Sequence, residues 1–348
     1  MQICFDGFQE TLMRLHGLDI ARYLAFCGMV LVNFRIAAQV TPGADLPSLL
    51  TNALEGRAAA LFVVLAGIGL AMGRASSAEI LARAGFLFFI GMVNLLIFEA
   101  DILHFYALYF LVALPFLNAS GRVLLFAALG AVVLGFLSLV LLDYEAHWNW
   151  ETLEYSDFWT LEGFLRHSFF NGWHPVFPWV AFLFIGMWIG RQDLYAKTVQ
   201  NRLVLWGLAA AVLGALPANL TSDPELQEVF GTAAIPPGPF YILAASGTAA
   251  LVIGLLLRVG AGLNRLGIAE WLAAPGRMAL SLYIAHVLLG MGTLEVMGQL
   301  DGSLTPLQIF GYSLGFCAFS ALASWLWMIL LRRGPLEAAM RGISKLFG

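Results

Sequence analysis

The sequence predicts an all-α integral membrane protein, with about ten transmembrane helices in one bundle and both termini in the cytoplasm. Its composition is 60% hydrophobic and 11% charged, whereas about a quarter of the residues of a soluble domain are charged. Ten apolar stretches each approach the roughly 20 helical residues that cross ~30 Å of hydrocarbon. The loops between these stretches alternate between basic and acidic, and Lys and Arg collect in cytoplasmic loops.

The whole chain, 1–348, forms one predicted transmembrane domain. Nearly all of its Lys and Arg, from Arg14 to Lys345, fall on the predicted cytoplasmic side, whereas Arg57 and Arg166 are the basic residues of the outer side. A miscounted helix would reverse every later loop, and the charges require no such reversal. The predicted spans lie near 19–40, 56–73, 81–99, 102–118, 122–142, 175–191, 202–218, 239–258, 277–298 and 306–331.

The longest loop, 143–173, is acidic, rich in Trp and predicted to lie on the outer side. Its Trp residues are typical of side chains at the headgroup level, although they could instead form platforms that hold a sugar or lipid acceptor. The second half, Ser156 to Phe170, has apolar residues near one face and predicts a helix in the outer interface, capped by Ser156 or Asp157.

The first span carries three polar residues on one face, Asp19, Arg22 and Asn33. Arg22 and Asn33 are 11 positions apart, which brings them within ~20° of each other around a helix. Asp19 and Arg22 are three apart and can form an ion pair. The stripe is either an ion pair at the helix end plus an interhelical Asn bond, or part of a functional site, because polar groups inside a membrane often mark one.

The ninth span has a similar polar or small stripe, which predicts either a hydrogen-bonded packing histidine or a buried acid or base. His286 lies near its middle. The stripe consists of Tyr283, His286, Gly290 and Thr293.

Two more histidines stand at predicted outer helix ends. His104 follows Asp101 by three residues, so Asp101 either caps the fourth span or orients the imidazole as a base. His174 opens the sixth span beside Trp173 and is followed by two prolines before Trp179, which makes it a candidate catalytic residue.

Arg57 opens the second span from the acidic side, which indicates a local partner, either an acid or an anionic ligand. The sequence shows no Walker loop, zinc signature, nucleophile elbow or nucleic-acid patch, so we expect no metal and no nucleic acid. Small-residue seams for close helix packing are predicted at Gly67, Gly69, Gly73, Gly186 and Gly190.

Several motifs in order along nearly the whole chain resemble those of the YeiB-like bacterial membrane proteins. This resemblance implies a location in the bacterial cytoplasmic (inner) membrane. The matching segments are 18–22 running into 28–33, 61–69, Asp101-Ile-Leu103 with Tyr106-Ala107, 276–283 (Gly-Arg-Met-Ala-Leu-Ser-Leu-Tyr) and Gly334-Pro-Leu-Glu337.

The opening motif, and 174–179 with Gly186-Met187, also resemble the heparan-α-glucosaminide N-acetyltransferase group. Those enzymes move an acyl group from cytoplasmic acyl-CoA to an amine or hydroxyl across the membrane. Asn33 matches an active-site Asn of that group. The catalytic His of the group lies in the first outer loop, whereas the loop here, 40–55, contains no His. The resemblance then requires a His from elsewhere, and His174 is the first choice.

The resemblance implies a membrane-embedded acyltransferase with acyl-CoA, most simply acetyl-CoA, as donor and a sugar- or lipid-type acceptor at the outer face. The alternative is a transporter for a small solute that uses the same polar interior. We expect membrane lipids and the two substrates as partners, and leave a homodimer open. The expected catalytic residues are Asn33, His174, His286, His104 and Asp101; the donor-binding residues are Arg22, Asp19, Arg74, Arg83 and Arg277; and the acceptor-side residues are Arg57, Trp173 and Trp179.

Overall fold

The protein is an all-α membrane protein. A computed structural model describes residues 15–347, with the side chain of Ala261 excepted; Arg14 of the predicted cytoplasmic side lies outside the described residues. Within that range the strands form a single antiparallel hairpin, β1 (Trp148–Asn149) with β2 (Glu154–Tyr155). The helices are α1 (His16–Ala37), α2 (Leu46–Leu54), α3 (Arg57–Met72), α4 (Ser77–Asn94), α5 (Leu103–Ala113), α6 (Gly121–Leu141), α7 (Leu161–Arg166), α8 (Val176–Gly190), α9 (Lys197–Asn219), α10 (Pro224–Val229), α11 (Pro239–Arg265), α12 (Ala269–Ala273), α13 (Ala279–Ala285), α14 (Gly292–Val296), α15 (Pro306–Leu331) and α16 (Pro335–Ser344).

Eight helices in residues 15–347 are long and apolar enough to cross a membrane, or nine if a bent pair counts as one span. The bent pair, Leu161–Asn171 with Val176–Gly190, contains the sixth predicted span and turns by 52°. The fourth predicted span corresponds to the shorter apolar helix Leu103–Phe116. Each of the ten predicted spans therefore has a helical counterpart, while the number that crosses the membrane stays a prediction.

Two predicted boundaries are wrong. The third span, expected to reach residue 99, leaves the helical conformation after Asn94, because the buried Asn94 side chain bonds to Asp101 in the following loop. The helix of the outer loop begins only at Leu161, since Thr160 rather than Ser156 or Asp157 accepts the capping hydrogen bond, from Gly163.

The ninth span was also expected as one regular helix over 277–298. The structure divides it into a 3-10 turn (Pro275–Met278), α13, a π-helical turn (His286–Met291) and α14. A π turn inserts one extra residue into a helix, so a regular stripe through Gly290 and Thr293 does not hold beyond His286. The Thr293 hydroxyl instead donates to the Leu289 carbonyl oxygen of its own helix.

Helix α1 lies at the centre, packed against α3, α11, α15 and the 275–278 turn. Part of the predicted small-residue seam joins α3 to α8: the space at Gly67 is bounded by the Leu183 carbonyl and Gly186, and the space at Gly186 by the Val64 carbonyl. Gly69, predicted to belong to the same seam, faces open space instead. Glycine at these positions lets two backbones approach closely.

Helix α16 is fastened to the start of α13 by one carboxylate. Glu337 accepts hydrogen bonds from the Leu280 and Ser281 backbone N–H groups, at 2.8 and 3.1 Å, and from the Ser281 hydroxyl at 2.5 Å. The Ser281 hydroxyl oxygen in turn accepts from the Leu336 N–H at 3.0 Å. Two of the motifs noted in the sequence, 276–283 and 334–337, thus meet at one contact.

Candidate active site

A cavity of about 630 Å³, counting its part open to solvent, lies at the predicted outer end of the bundle. It is bounded by α1, the α2–α3 junction, the loop before α5 and the segment before α8. Most of its lining is apolar, and a few polar side chains converge on it, which is the usual character of a small-molecule site. The residues that carry chemistry there are Asn33, Glu55, Trp173, His174, Trp179 and Tyr283.

Asn33 is held by the ninth predicted span. Its side-chain nitrogen lies 3.0 Å from His286 Nε2, while His286 Nδ1 lies against the Tyr283 carbonyl oxygen. A carbonyl oxygen only accepts, so Nδ1 carries the proton and Nε2 accepts from the Asn33 amide. An amide NH₂ has two N–H donors, and the bond to His286 uses one of those on Asn33, a residue that lines the cavity.

Asp101 is fully buried beside this pair. One oxygen accepts from the Asn94 amide at 2.9 Å, and the other accepts from the His104 backbone N–H at 3.1 Å and contacts His104 Nδ1 at 3.0 Å. Asp101 therefore makes both a capping hydrogen bond to the start of α5 and a contact with the His104 imidazole, while a role of His104 as a base stays a prediction. Tyr283 connects the cluster to the ninth span, since its hydroxyl accepts from the Ile102 N–H at 3.1 Å and lies 3.5 Å from Asp101.

His174 lines the cavity. His104 and His286 do not line it; both are buried in the surrounding helices. The His174 carbonyl oxygen accepts from the Tyr109 hydroxyl at 2.5 Å, and the His174 ring stands nearly perpendicular to Trp179, with centroids 4.6 Å apart. Among residues 15–347 the buried Nδ1 has no hydrogen-bond partner. Backbone anchoring and the Trp179 ring, rather than an acidic residue, therefore fix this imidazole.

The α2–α3 junction supplies a carboxylate that the sequence did not single out. Arg35, buried in α1, donates to Glu55 at 2.8 Å and also to Asn52. Gly56, between the two helices, has a φ of +67°, which glycine adopts without strain. This turn places Glu55 at the cavity wall.

Arg57 donates to the Thr232 hydroxyl at 3.0 Å. The sequence predicted an acid or an anionic ligand as the partner of this cation. Trp173 and Trp179, the other two predicted acceptor-side residues, both line the cavity. The structure thus brings the two Trp residues together with Asn33 and His174, and directs Arg57 towards the loop after α10.

The predicted donor residues lie at the opposite end of the bundle. Arg22 pairs with Asp19, as the sequence predicted. Arg277 lies 3.7 Å from Glu270, and its neighbour Gly276 packs directly on the Asp19 backbone. Arg22 and Arg277 therefore extend from adjacent elements. Arg74 is exposed beyond α3 and Arg83 is half-buried on α4.

Several residues of the site were missed by sequence reasoning. Glu55 and Arg35 gave no motif and were recognisable only as charges near a helix end. His167 is buried behind the cavity wall, with its ring 6.1 Å from that of His104; a histidine in a Trp-rich loop carries no spacing signal. Among the described residues, no three His, Cys, Asp or Glu side chains are grouped as metal ligands.

Two protein families match this chain. The family described as heparan-alpha-glucosaminide N-acetyltransferase, catalytic, matches residues 14–220, more than half of the chain. The family described as protein of unknown function (DUF418), which is the YeiB-like family, matches residues 189–346. No curated protein matches the chain. The first match contains Asn33, Glu55 and His174, whereas the second contains the ninth span with Tyr283 and His286.

Proposed function

Because the chain belongs to the family of the heparan-alpha-glucosaminide N-acetyltransferase catalytic domain, we propose that it is a membrane-embedded acyltransferase. It moves an acyl group, in the first instance acetyl, from cytoplasmic acyl-CoA to a sugar- or lipid-type acceptor at the outer face. The observation that carries this proposal is that Asn33 and His174 line one cavity. Asn33 supplies a hydrogen-bond donor for a thioester oxygen, and His174 supplies a base.

The proposed chemistry is direct acyl transfer. His174 takes the proton from an acceptor amine or hydroxyl, whose nitrogen or oxygen attacks the thioester carbonyl carbon. The carbonyl oxygen becomes an oxyanion and accepts from the free N–H of the Asn33 amide. The carbon–sulfur bond then breaks, and the CoA thiolate leaves and takes the proton from His174.

The charges of the two ends support the direction of transfer. Arg22, Arg74, Arg83 and Arg277 lie on the predicted cytoplasmic side, where they meet the phosphates of the CoA moiety. The outer end is acidic through its loops, while Glu55 in the cavity itself is paired with Arg35. An acidic mouth favours a cationic or neutral acceptor over an anionic one.

The experiment measures acetyl transfer from radiolabelled acetyl-CoA by the purified protein, with glucosamine and a panel of simple amines and alcohols as acceptors. We expect Asn33→Ala and His174→Ala each to lower the transfer rate by about 100-fold or more. Both variants keep the thermal stabilisation by acetyl-CoA, since neither residue contacts the CoA phosphates in the proposal.

Matched controls are Asn219→Ala and His147→Ala, which change the same residue types at exposed positions that do not line the cavity. Both controls should transfer acetyl at the wild-type rate. Transfer at the wild-type rate by an Asn33→Ala, His174→Ala double variant would disprove the mechanism. Solute uptake into vesicles without any release of CoA would instead favour a transporter.

A further inference from the structure

A second cavity, of about 400 Å³ counting its part open to solvent, lies beside the first at the predicted outer end of the bundle. Trp173 lines both cavities. His167 and the buried faces of Phe158 and Trp173 line its inner part, and Glu99 and Trp159 are exposed at its mouth. The aromatic side chains that line it are Trp148, Tyr155, Phe158, Trp159 and Trp173.

The rings of this second cavity meet at right angles. Trp148 is perpendicular to Trp173, with centroids 5.4 Å apart, and to Tyr155, with centroids 5.1 Å apart. Phe158 and Trp159 meet in the same way at 5.1 Å. Trp150 stacks on Trp148, with centroids 4.4 Å apart, and covers one of its faces. The lining therefore combines rings of several orientations around one space.

Hydrogen bonds hold two of these rings, Trp148 and Tyr155, in place. The Trp148 indole donates to the Asn171 carbonyl oxygen at 2.6 Å, and the Tyr155 hydroxyl donates to the Asn171 side-chain oxygen at 2.8 Å. The fully buried Asn171 amide donates in turn to the Tyr144 and Ala146 carbonyl oxygens. When side chains are already held in place, less of the binding free energy is lost in ordering them.

The charge at the mouth is negative. Within residues 15–347, no Lys or Arg lies within ion-pair distance of Glu99. Partial burial, together with the neighbouring Glu154, raises the pKa of the Glu99 carboxyl, so an added positive charge would be favourable there. The nearby Arg166 lies over the Tyr155 ring, 5.7 Å from its centroid, but its charge is paired with Asp157 rather than Glu99, because its guanidinium donates to Asp157 at 2.6 Å and to the Tyr155 hydroxyl at 2.7 Å.

We propose that the second cavity is an aromatic cage that binds an organic ammonium group, with Glu99 as the counter-charge at its mouth. A cation is attracted to the faces of aromatic rings within ~6 Å, and aromatic boxes are used to recognise quaternary ammonium ligands. The group could belong to a lipid headgroup or to a soluble amine, since both present the same chemistry. This inference does not depend on acyl transfer.

The experiment measures equilibrium binding of radiolabelled choline to the full chain in nanodiscs made of phosphatidylglycerol. Saturable binding is expected, with 3,3-dimethyl-1-butanol, the neutral isostere of choline, as a competitor at least tenfold weaker. Glu99→Gln and Trp159→Leu should each weaken choline binding by about fivefold or more. Trp159→Phe, which keeps a ring, should restore most of it.

Glu151→Gln is the matched control for Glu99→Gln, because it removes an exposed acid of loop 143–173 that does not line the cavity, and it should bind choline as the wild type does. Loss of choline binding in nanodiscs of phosphatidylcholine, with normal binding in phosphatidylglycerol, identifies a lipid headgroup as the source; equal binding in both identifies a soluble amine. Either result supports the cage. Equal affinity for choline and its neutral isostere, or an unchanged affinity in Glu99→Gln, overturns it.

Discussion

At the scale of single residues, the contact that most shapes the site is the one between Asn33 and His286. Both nitrogens of the His286 ring are engaged, one by the Tyr283 carbonyl and the other by the Asn33 amide. The imidazole therefore holds the Asn33 amide in one orientation, and this orientation also sets the direction of the second N–H of the amide. We infer that His286 positions Asn33, while His174 is the imidazole exposed to the cavity.

Replacement of His286 by Ala should lower the rate of acetyl transfer by about tenfold, because the Asn33 amide loses the acceptor that orients it. The measurement is a double-mutant cycle on the transfer rate with His286→Ala, Asn33→Ala and the double variant. Once Asn33 is absent, removal of His286 should cause no further loss. Independent losses that multiply in the double variant would show that His286 acts by a separate route.

The individual residues of this cluster could be predicted from sequence, but not their partners. Asn33, Asp101 and His286 stood out because each is a costly polar group in or beside an apolar span. The bond between Asn33 and His286 joins positions 253 residues apart, and no spacing rule covers such a pair. The contact of Asp101 with His104 was predictable, because a separation of three residues is local helical geometry.

At the scale of helices, the close packing of α3 against α8 can be tested by comparing the stability of two glycine variants of α3. Gly67→Ala places a methyl group against the Leu183 carbonyl and the Gly186 backbone. Gly69→Ala, in the same helix, places the methyl group in open space. Gly67→Ala should cost about 1–3 kcal/mol of the free energy of unfolding through overpacking, and Gly69→Ala should cost almost nothing. Thermal denaturation in detergent, followed by size-exclusion chromatography, measures both. Equal stability of the two variants would contradict the packing of this seam.

The contact of α16 with α13 gives a second prediction at this scale. Glu337→Ala leaves the Leu280 and Ser281 N–H groups without their acceptor, and should cost about 1–3 kcal/mol of the free energy of unfolding. Glu337→Gln keeps one acceptor oxygen and should lie between Ala and the wild type. Glu295→Ala, at an exposed position, is the control for the same thermal measurement. A wild-type melting temperature for Glu337→Ala would show that this attachment contributes nothing to stability.

Helix positions were predictable where apolar length and local signals at the helix ends decide them. The last predicted span, 306–331, matches α15, because Thr305 and Gln308 form a capping box at its start and Arg332 adopts a left-handed conformation at its end. The π turn at His286–Met291 and the early end of α4 at Asn94 were not predictable. A residue at each site makes a tertiary contact that the sequence does not reveal, His286 with Asn33 and Asn94 with Asp101.

At the scale of the whole molecule, the polar chemistry is divided between two ends. Both cavities lie at the end formed by the acidic loops, and the Arg22 and Arg277 pairs lie at the other end. Apolar side chains of α6 and α15 remain exposed along their outer faces, as helices that contact lipid require. The alternation of charge along the sequence predicted this division, although it could not predict that Trp173 would line both cavities.

The orientation of this division in the membrane is the last prediction. In a variant with Cys4, Cys27 and Cys317 replaced by Ser, Glu151→Cys should react with a membrane-impermeant maleimide on intact cells, because loop 143–173 is predicted to face outwards. Arg341→Cys, in α16, should react only after permeabilisation, because basic segments stay in the cytoplasm. Both positions are exposed, so a difference in labelling reports sidedness rather than burial. The reverse pattern would place the cavity with Asn33 and His174 on the cytoplasmic side, where acyl-CoA would reach it without crossing the bundle, and transfer across the membrane would have to be abandoned.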